Sequence, residues 1–104
     1  MTCYHVTKKE NLPSILRNGL IPQIDERARD YGEQCPYVFL FPSEEDKNTA
    51  LSSWLGLCFN EEEELVSLKL DLPEEFPIKE GEAEFEVLSE LTIPSRYIVQ
   101  IKDE

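Results

Sequence analysis

The chain has 104 residues, the size of a single domain that spans residues 1–104. Ten Lys and Arg against 22 Asp and Glu give a formal charge of −12, which disfavours nucleic-acid binding, because such binding needs cations that displace phosphate counterions. No apolar run approaches the roughly 20 residues that cross a membrane, and no signal-like leader precedes Cys3, so we expect a cytoplasmic protein with no membrane partner.

The negative charge is concentrated in the second half of the chain. Residues 1–59 carry 8 acidic and 6 basic side chains, whereas residues 60–104 carry 14 acidic and 4 basic ones. This asymmetry favours a basic protein partner, or simply solubility, over a nucleic acid.

The cysteines and the histidine do not form a metal-binding pattern. Cys3, Cys35 and Cys58 are widely spaced and form no CxxC pair, and the chain has one histidine. They provide no zinc ligand set, so we expect reduced, mostly buried thiols and no metal.

The first predicted elements are a strand and a short helix. The stretch TCYHVT alternates between two faces and predicts a strand over residues 2–7. One face carries Tyr4 and Val6, and the other carries Cys3, His5 and Thr7. Asn11 is the expected helix N-cap, because Pro13 is tolerated only in the first helical turn. Gly19 is expected to end this helix in a left-handed conformation.

A loop, a strand and a second helix are predicted next. Residues 21–36 mix proline, glycine and alternating charges without a strong period, which indicates a loop. YVFLF, residues 37–41, is rich in β-forming residues and predicts a strand. Ser43 is the expected N-cap of a helix with acidic residues in its first turn. The apolar face of that helix comprises Ala50, Leu51, Trp54, Leu55 and Cys58.

The rest of the chain predicts strands. LVSLKLDL alternates cleanly, and its inward-facing residues are Val66, Leu68, Leu70 and Leu72. Three further short strands are predicted at FPI (76–78), AEFEVL (83–88) and YIVQI (97–101). Strands that cluster after two helices indicate an α+β fold with largely antiparallel pairing.

Several blocks, taken together and in order, resemble the ADP-ribosyltransferase superfamily. They are YHVT, NLPSILRNGLIP, YVFLFPS and EAEFEV with TIPSRYIVQI behind it, and they touch most of the chain. General motifs for phosphate loops, zinc proteases and serine hydrolases do not occur. The resemblance implies two small, mostly antiparallel sheets with short flanking helices and an NAD cleft between them.

The resemblance also implies a chemistry, the cleavage of the nicotinamide–ribose bond of NAD through an oxocarbenium-like transition state. A carboxylate stabilises the developing charge and orients the acceptor. A histidine donor holds the ribose, and an aromatic ring stacks on the nicotinamide. By resemblance, His5 is the ribose anchor, the backbone around Val6 grips the nicotinamide amide, and Thr7 completes the motif.

The carboxylate is a choice among three neighbours that would share one face of a strand, Glu82, Glu84 and Glu86. In the superfamily the acidic residue directly precedes an aromatic one, which implies Glu84, with Glu86 as the alternative. The competing interpretation is a row of solvated carboxylates on a very acidic protein.

The remaining cofactor contacts are assigned by resemblance to aromatic and basic residues. Tyr37 and Phe39 point the same way from their strand and are candidates for the nicotinamide shelf, with Tyr31 as a rival. Arg27 and Arg29 lie in the loop before that strand, where they would suit a pyrophosphate or form surface salt bridges.

Two branches of the superfamily look most similar. RNA 2′-phosphotransferases rely on an additional histidine, which this chain lacks; the DNA-modifying toxins are longer and carry a nucleic-acid-reading surface. We therefore expect a minimal mono-ADP-ribosyltransferase with a protein acceptor, in a toxin–antitoxin, phage–host conflict or similar setting. The alternative is an inactive domain of this fold that binds a nucleotide-like ligand or, through its acidic C-terminal half, a basic protein.

Overall fold

A computed structural model describes residues 1–22, 37–53, 59, 62–81 and 86–104. In these ranges the elements are β1 (Thr2–Lys8), α1 (Leu12–Asn18), β2 (Val38–Leu40), α2 (Glu44–Ser52), β3 (Leu65–Asp71), β4 (Lys79–Glu80), β5 (Val87–Ser89) and β6 (Ile98–Asp103). Short 3-10 turns at Lys9–Asn11 and Ser95–Tyr97 lead into α1 and β6. The predicted α+β class is confirmed.

The strands form two antiparallel sheets of three strands each, with the orders β1-β3-β6 and β2-β5-β4. The sheets meet at Tyr4 and Phe41, whose backbone N–H groups each donate to the other residue's carbonyl at 2.8 Å. Phe41 directly follows β2, and within the described ranges this isolated bridge is where β1 meets the second sheet. The expectation of two small antiparallel sheets with short helices is therefore confirmed.

One face of the first sheet packs against α1. The alternation of β3 sets this core, as predicted: its inward side chains are at most 2% exposed. Burying a side chain of this kind stabilises the fold by about 2 kcal/mol relative to leaving it in water. The buried members of this cluster include Cys3, Ile15, Leu20, Val66, Leu68, Leu70, Leu72 and Ile93.

The opposite face of the first sheet is covered by α2, where Ala50 packs with Val6 and Phe41. The predicted start of this helix is confirmed, because the Ser43 hydroxyl accepts a hydrogen bond from the Asp46 N–H at 3.0 Å. The later residues of its predicted apolar face, Trp54, Leu55 and Cys58, lie outside the described residues. No helix in the described ranges has the length and apolar character needed to cross a membrane.

The predicted bounds of α1 are also confirmed, but its cap differs. Pro13 lies in the first turn, and Gly19 follows the helix with φ +83°. Asn11, however, makes no side-chain cap bond; its Nδ2 donates to Thr7 Oγ1 at 3.0 Å. The reason is that the preceding 3-10 turn already holds Asn11 in a helical conformation, whereas a capping residue is normally extended.

Two predicted strands differ from the structure. Residues 76–78 are not a strand: the Phe76 N–H donates to the Pro73 carbonyl at 3.0 Å in a turn, and the strand follows at Lys79–Glu80. Pro73 and Pro77 have no N–H to give to a strand ladder, which moves the pairing downstream. Of the strand predicted at 83–88, β5 begins at Val87, and residues 83–85 lie outside the described ranges.

Candidate functional site

The histidine of this chain lies on β1 and contacts β2. Nδ1 of His5 is 2.7 Å from the carbonyl oxygen of Phe39, and the ring is half-buried. The neighbouring residue, Tyr4, forms the backbone bridge to Phe41. His5 therefore lies at the junction of the two sheets, next to the point where the described pairing of β1 with β2 stops.

The backbone of Val6 faces the same junction. In an antiparallel ladder, the N–H and C=O groups of alternate residues point to opposite edges of a strand. The Lys9 N–H donates to the Glu64 carbonyl on the β3 side at 2.8 Å, whereas Tyr4 bonds to Phe41 on the other side, so the even-numbered residues of β1 face β2. The Val6 side chain is 8% exposed, so a ligand at this edge would meet the backbone of Val6 and not its side chain.

Thr7 holds β1 against the start of α1. Its side chain is buried, its Oγ1 accepts the hydrogen bond from Asn11, and its backbone belongs to the set that pairs with β3. The described contacts of Thr7 are thus structural, and it would support a cofactor only by holding β1 in place.

The two aromatic candidates of β2 form one edge-to-face pair. The ring centroids of Tyr37 and Phe39 are 6.3 Å apart, with an interplanar angle of 79°. Phe39 is 6% exposed and packs with Leu88 of β5, whereas Tyr37 is half-buried. Of these two rings, Tyr37 is the more accessible to a ligand.

A lysine lies over one face of the Tyr37 ring. Lys79 Nζ is 4.5 Å from the centre of the Tyr37 ring, 3.0 Å from its hydroxyl and 2.6 Å from Glu90 Oε1. The hydrogen bond to Glu90, and secondly that to Tyr37, raise the pKa of Lys79 above its ordinary value. A nicotinamide ring that stacked on this side of Tyr37 would have to displace the ammonium group.

Of the three candidate carboxylates, the structure describes Glu86. It directly precedes β5 and is 7% exposed, and its backbone carbonyl accepts the Gly81 N–H at 2.9 Å. Its side chain lies against Gly81, where an added Cβ would be 3.0 Å from Oε1. The glycine is what allows this carboxylate to lie so close to the end of β4.

Glu86 and His5 lie on neighbouring rows of the strand pairing. Val87 pairs with Leu40 of β2, so one further step of this register would put Glu86 opposite Phe41, which in turn bridges to Tyr4. Two strand spacings therefore separate Glu86 from Tyr4 by roughly 10 Å, and His5 is one residue further along β1. The alternation places Glu86 on the side of Leu88 and Phe39, whereas His5 is on the Cys3 side of β1, which packs with Val38 and Leu40. The two side chains therefore start from opposite faces of the paired strands.

Five predicted residues fall outside the described part of the chain. These are Arg27, Arg29, Tyr31, Glu82 and Glu84. Their assignments stay predictions, including the preference for Glu84 over Glu86.

The sequence interpretation missed a buried charged cluster beneath α2. Lys47 is 1% exposed, and its Nζ lies 3.1 Å from Glu104 Oε2 and 3.5 Å from Ser67 Oγ. The signal was the spacing, since Lys47 precedes Ala50 by three residues and therefore shares its inward face. The cluster joins α2 to β3 and the end of β6 and is structural.

A shallow depression of about 670 Å³ lies on the outer face of α2. Its lining comprises Glu44, Glu45, Asn48, Thr49, Ser52 and Ser53. These residues all belong to α2 or directly follow it, so the depression is lined from one side. None of them belongs to the predicted site. Among the described residues, no group of three or more His, Cys, Asp or Glu side chains is placed to hold a metal ion.

Comparisons of the chain with protein-family models, with curated proteins and with solved structures give no match. The candidate site therefore stands on its geometry and on the ordered blocks of the sequence.

Proposed function

We propose that this protein is a minimal NAD-dependent mono-ADP-ribosyltransferase with an ADP-ribosyltransferase-like fold, in which NAD binds between the two sheets. The observation that carries this proposal is the position of His5. It belongs to the YHVT block, and its ring contacts the backbone of β2 at the junction of the sheets. Of the strands that carry or adjoin these blocks, β2 and β5 are paired in one sheet, and β1 meets the end of β2 through the bridge between Tyr4 and Phe41.

The groups at the junction suit the nicotinamide end of NAD. The N–H and C=O of Val6 offer one donor and one acceptor on a strand edge, which complement the acceptor and donor of a carboxamide. His5 lies one residue away and would bind a ribose hydroxyl. When bound, NAD would supply the ADP-ribose group and release nicotinamide with the electron pair of the broken bond.

The carboxylate would act on the ribose and on the acceptor. We assign this role to Glu84, which precedes Phe85, and keep Glu86 as the alternative. A carboxylate there would stabilise the positive charge that develops on the ribose and take the proton that the acceptor nucleophile loses. Arg27 and Arg29 would bind the pyrophosphate, and Tyr37, Phe39 or Tyr31 would stack on the nicotinamide.

A protein side chain is the acceptor class that the charge favours. A net charge of −12 repels phosphate backbones, whereas it attracts basic protein surfaces. The acidic residues are concentrated in residues 60–104, which also contain the proposed carboxylate.

The proposal is tested by incubating the purified protein with NAD labelled in its adenylate part, in a cell lysate. We expect release of free nicotinamide and transfer of the label to material that protease destroys and nuclease does not. His5→Ala and Glu84→Gln should abolish the transfer, whereas Glu75→Gln, which changes an exposed carboxylate in a turn, should leave it intact.

Two further results decide which glutamate acts and whether the protein is an enzyme. Loss of activity in Glu86→Gln with full activity in Glu84→Gln reassigns the carboxylate and keeps the class. If NAD neither raises the melting temperature nor yields nicotinamide, the enzyme proposal is wrong.

The concentration of negative charge supports a second candidate, an inactive domain of this fold that holds a nucleotide-like ligand or a basic protein. In that case binding to a basic protein should weaken steeply with salt and should not change in His5→Ala.

A further inference from the structure

We propose that Asn18 is a deamidation site that the native fold keeps closed. Its side-chain amide is converted to aspartate or isoaspartate only when the C-terminal end of α1 opens. The proposal rests on the sequence Asn18-Gly19 and on the contacts that hold this peptide bond, and it is independent of the proposed function.

Asn18 and Gly19 form the one Asn-Gly pair of the sequence. In such a pair the glycine nitrogen, once a base has taken its proton, attacks the side-chain carbonyl carbon of the asparagine. A bond forms between this nitrogen and Cγ, the bond from Cγ to Nδ2 breaks, and the amide group takes a proton from water and leaves as ammonia. Water then opens the five-membered imide at either carbonyl, which gives aspartate or isoaspartate. Glycine favours this reaction because it has no Cβ to obstruct the attack.

The side chain of Asn18 is accessible to the solvent that the reaction needs. It is exposed at the end of α1, so water reaches the amide and would reach the imide. The carbon that is attacked is therefore not protected by burial, and protection has to come from the backbone nitrogen of Gly19.

The nitrogen of Gly19 is held by α1. Its N–H donates to the Ile15 carbonyl at 2.8 Å, so the proton that the reaction must remove is engaged in a hydrogen bond that ends the helix. Asn18 is the last helical residue, and ring closure requires rotation about its Cα–C bond to bring the Gly19 nitrogen towards Cγ. That rotation breaks the bond to Ile15.

The residues that follow hold Gly19 from the other side. Leu20 and Ile93 exchange two backbone hydrogen bonds, of 2.8 and 2.9 Å, and both side chains are at most 4% exposed. The backbone of Gly19 lies so close to Ile93 that an added Cβ would be 2.5 Å from the Ile93 carbonyl oxygen. The peptide bond between Asn18 and Gly19 therefore cannot turn into the reactive geometry until this bridge or the end of α1 opens.

Closing of the helix would not reverse the reaction. The imide nitrogen has no proton for the Ile15 carbonyl, and isoaspartate lengthens the backbone by one methylene group. Either final product adds a negative charge at the C-terminal end of α1, where the helix dipole opposes it. The modified chain should thus unfold at a lower denaturant concentration than the unmodified chain, and each modified molecule is a permanent record that this end of α1 has opened.

The first test compares the folded and the unfolded chain. The full-length protein is kept at mildly alkaline pH in native buffer and in concentrated guanidinium chloride. Mass spectrometry of the peptide that contains residue 18, with fragmentation that separates aspartate from isoaspartate, follows the conversion. We expect it to be at least about tenfold slower in native buffer, because the chain must first open locally. Asn18→Ala should show no mass change in this peptide. Equal rates in the two solutions, or no conversion in guanidinium chloride, would overturn the proposal.

The second test locates the opening at α1. Leu20→Ala removes a buried side chain beside the bridge, and Phe39→Ala removes one from the second sheet. In native buffer Leu20→Ala should convert faster than Phe39→Ala and than the wild type, whereas all three should convert equally fast in guanidinium chloride. The milder Leu20→Val replaces Leu20→Ala if the latter does not fold. If the Leu20 variant is no faster in native buffer than the wild type or than Phe39→Ala, the bridge does not protect Gly19 and the proposal is wrong.

Discussion

The ammonium of Lys47 and the carboxylate of Glu104 form the most buried ion pair of the described structure. Their side chains are 1% and 13% exposed, and Nζ is 3.1 Å from Oε2. The same carboxylate oxygen accepts a hydrogen bond from Ser67 at 2.8 Å, and Lys47 lies 6.0 Å from the centre of the Tyr4 ring. The pair therefore fixes α2 and the end of β6 onto the strands that carry the candidate site.

Removing one member of this pair should cost far more than replacing both members with apolar side chains of similar volume. Glu104→Ala leaves the Lys47 ammonium buried without this carboxylate, and we expect the free energy of unfolding to fall by about 3 kcal/mol. The double variant Lys47→Met with Glu104→Leu removes both charges and keeps the apolar volume, so its cost should be within about 1 kcal/mol. Urea unfolding measures both.

An exposed ion pair nearby provides the matched control. Lys102 and Glu44 are 3.5 Å apart, and both side chains are more than half exposed. Glu44→Gln should change stability by no more than about 0.5 kcal/mol. If Glu104→Ala and Glu44→Gln lowered the free energy of unfolding equally, burial would contribute nothing to the strength of the Lys47 pair.

Gly19 should not tolerate a side chain. Its φ of +83° with ψ of −175° is a region that only glycine enters readily, and an added Cβ would be 2.5 Å from the Ile93 carbonyl oxygen. That carbonyl accepts the Leu20 N–H, so it cannot move away without a cost. We expect Gly19→Ala to lower the free energy of unfolding by about 3 kcal/mol, measured by urea unfolding.

Asn18→Ala serves as the control for Gly19→Ala. Asn18 is exposed at the end of α1, so this change should alter stability by less than about 0.5 kcal/mol. A similarly small effect of Gly19→Ala would mean that the chain around residue 19 adapts at little cost.

Cys3 should make the protein less stable as the pH rises above 9. Burial raises the pKa of its thiol from 9.0 to about 12, and the positive N-terminus lowers it by a smaller amount. Above pH 9 the unfolded chain loses this proton while the folded chain keeps it, so unfolding is increasingly favoured until the pH reaches the folded pKa. The slope should approach about 1.4 kcal/mol per pH unit in that window.

The thiol's contribution is isolated by comparing the wild type with Cys3→Ala between pH 8 and pH 11. The substitution lowers the free energy of unfolding through the lost packing. Because only the wild type has the thiol, the difference in this free energy between the two proteins should become smaller as the pH rises. Parallel curves would contradict a buried neutral thiol at position 3.

Tyr37 and Phe39 should respond differently to truncation. Phe39 is buried against Leu88, and Phe39→Ala should cost about 3 kcal/mol of stability. Tyr37 is half-buried and its hydroxyl is bonded to exposed Lys79, so Tyr37→Ala should cost about 1 kcal/mol. Thermal and urea unfolding measure both.

The same variants separate a cofactor shelf from a core residue. If Tyr37 stacks on nicotinamide, Tyr37→Ala should lose nicotinamide release while remaining folded, and Lys79→Ala should increase NAD binding by opening the ring face. Unchanged nicotinamide release in folded Tyr37→Ala would exclude Tyr37 and leave Phe39 or Tyr31.

Local patterns predicted much of the fold. The alternation of residues 65–72 identified the buried side chains of β3, and Pro13 and Gly19 identified both ends of α1, because periodicity and special backbone residues act within a few positions. The sequence did not locate β4, since whether Phe76, Lys79 or Glu80 pairs with β5 depends on a strand that follows later in the chain.

Less of the candidate site could be predicted. The sequence determined that His5 would be on the first strand and that an aromatic strand would follow the first helix, because these features are written in spacing and residue type. Only the tertiary structure decided that His5 donates to Phe39, that Lys79 covers Tyr37 and that Lys47 is buried beside Glu104. Each of these contacts joins residues 34 or more positions apart, and they exist only because strand pairing and burial bring those residues together.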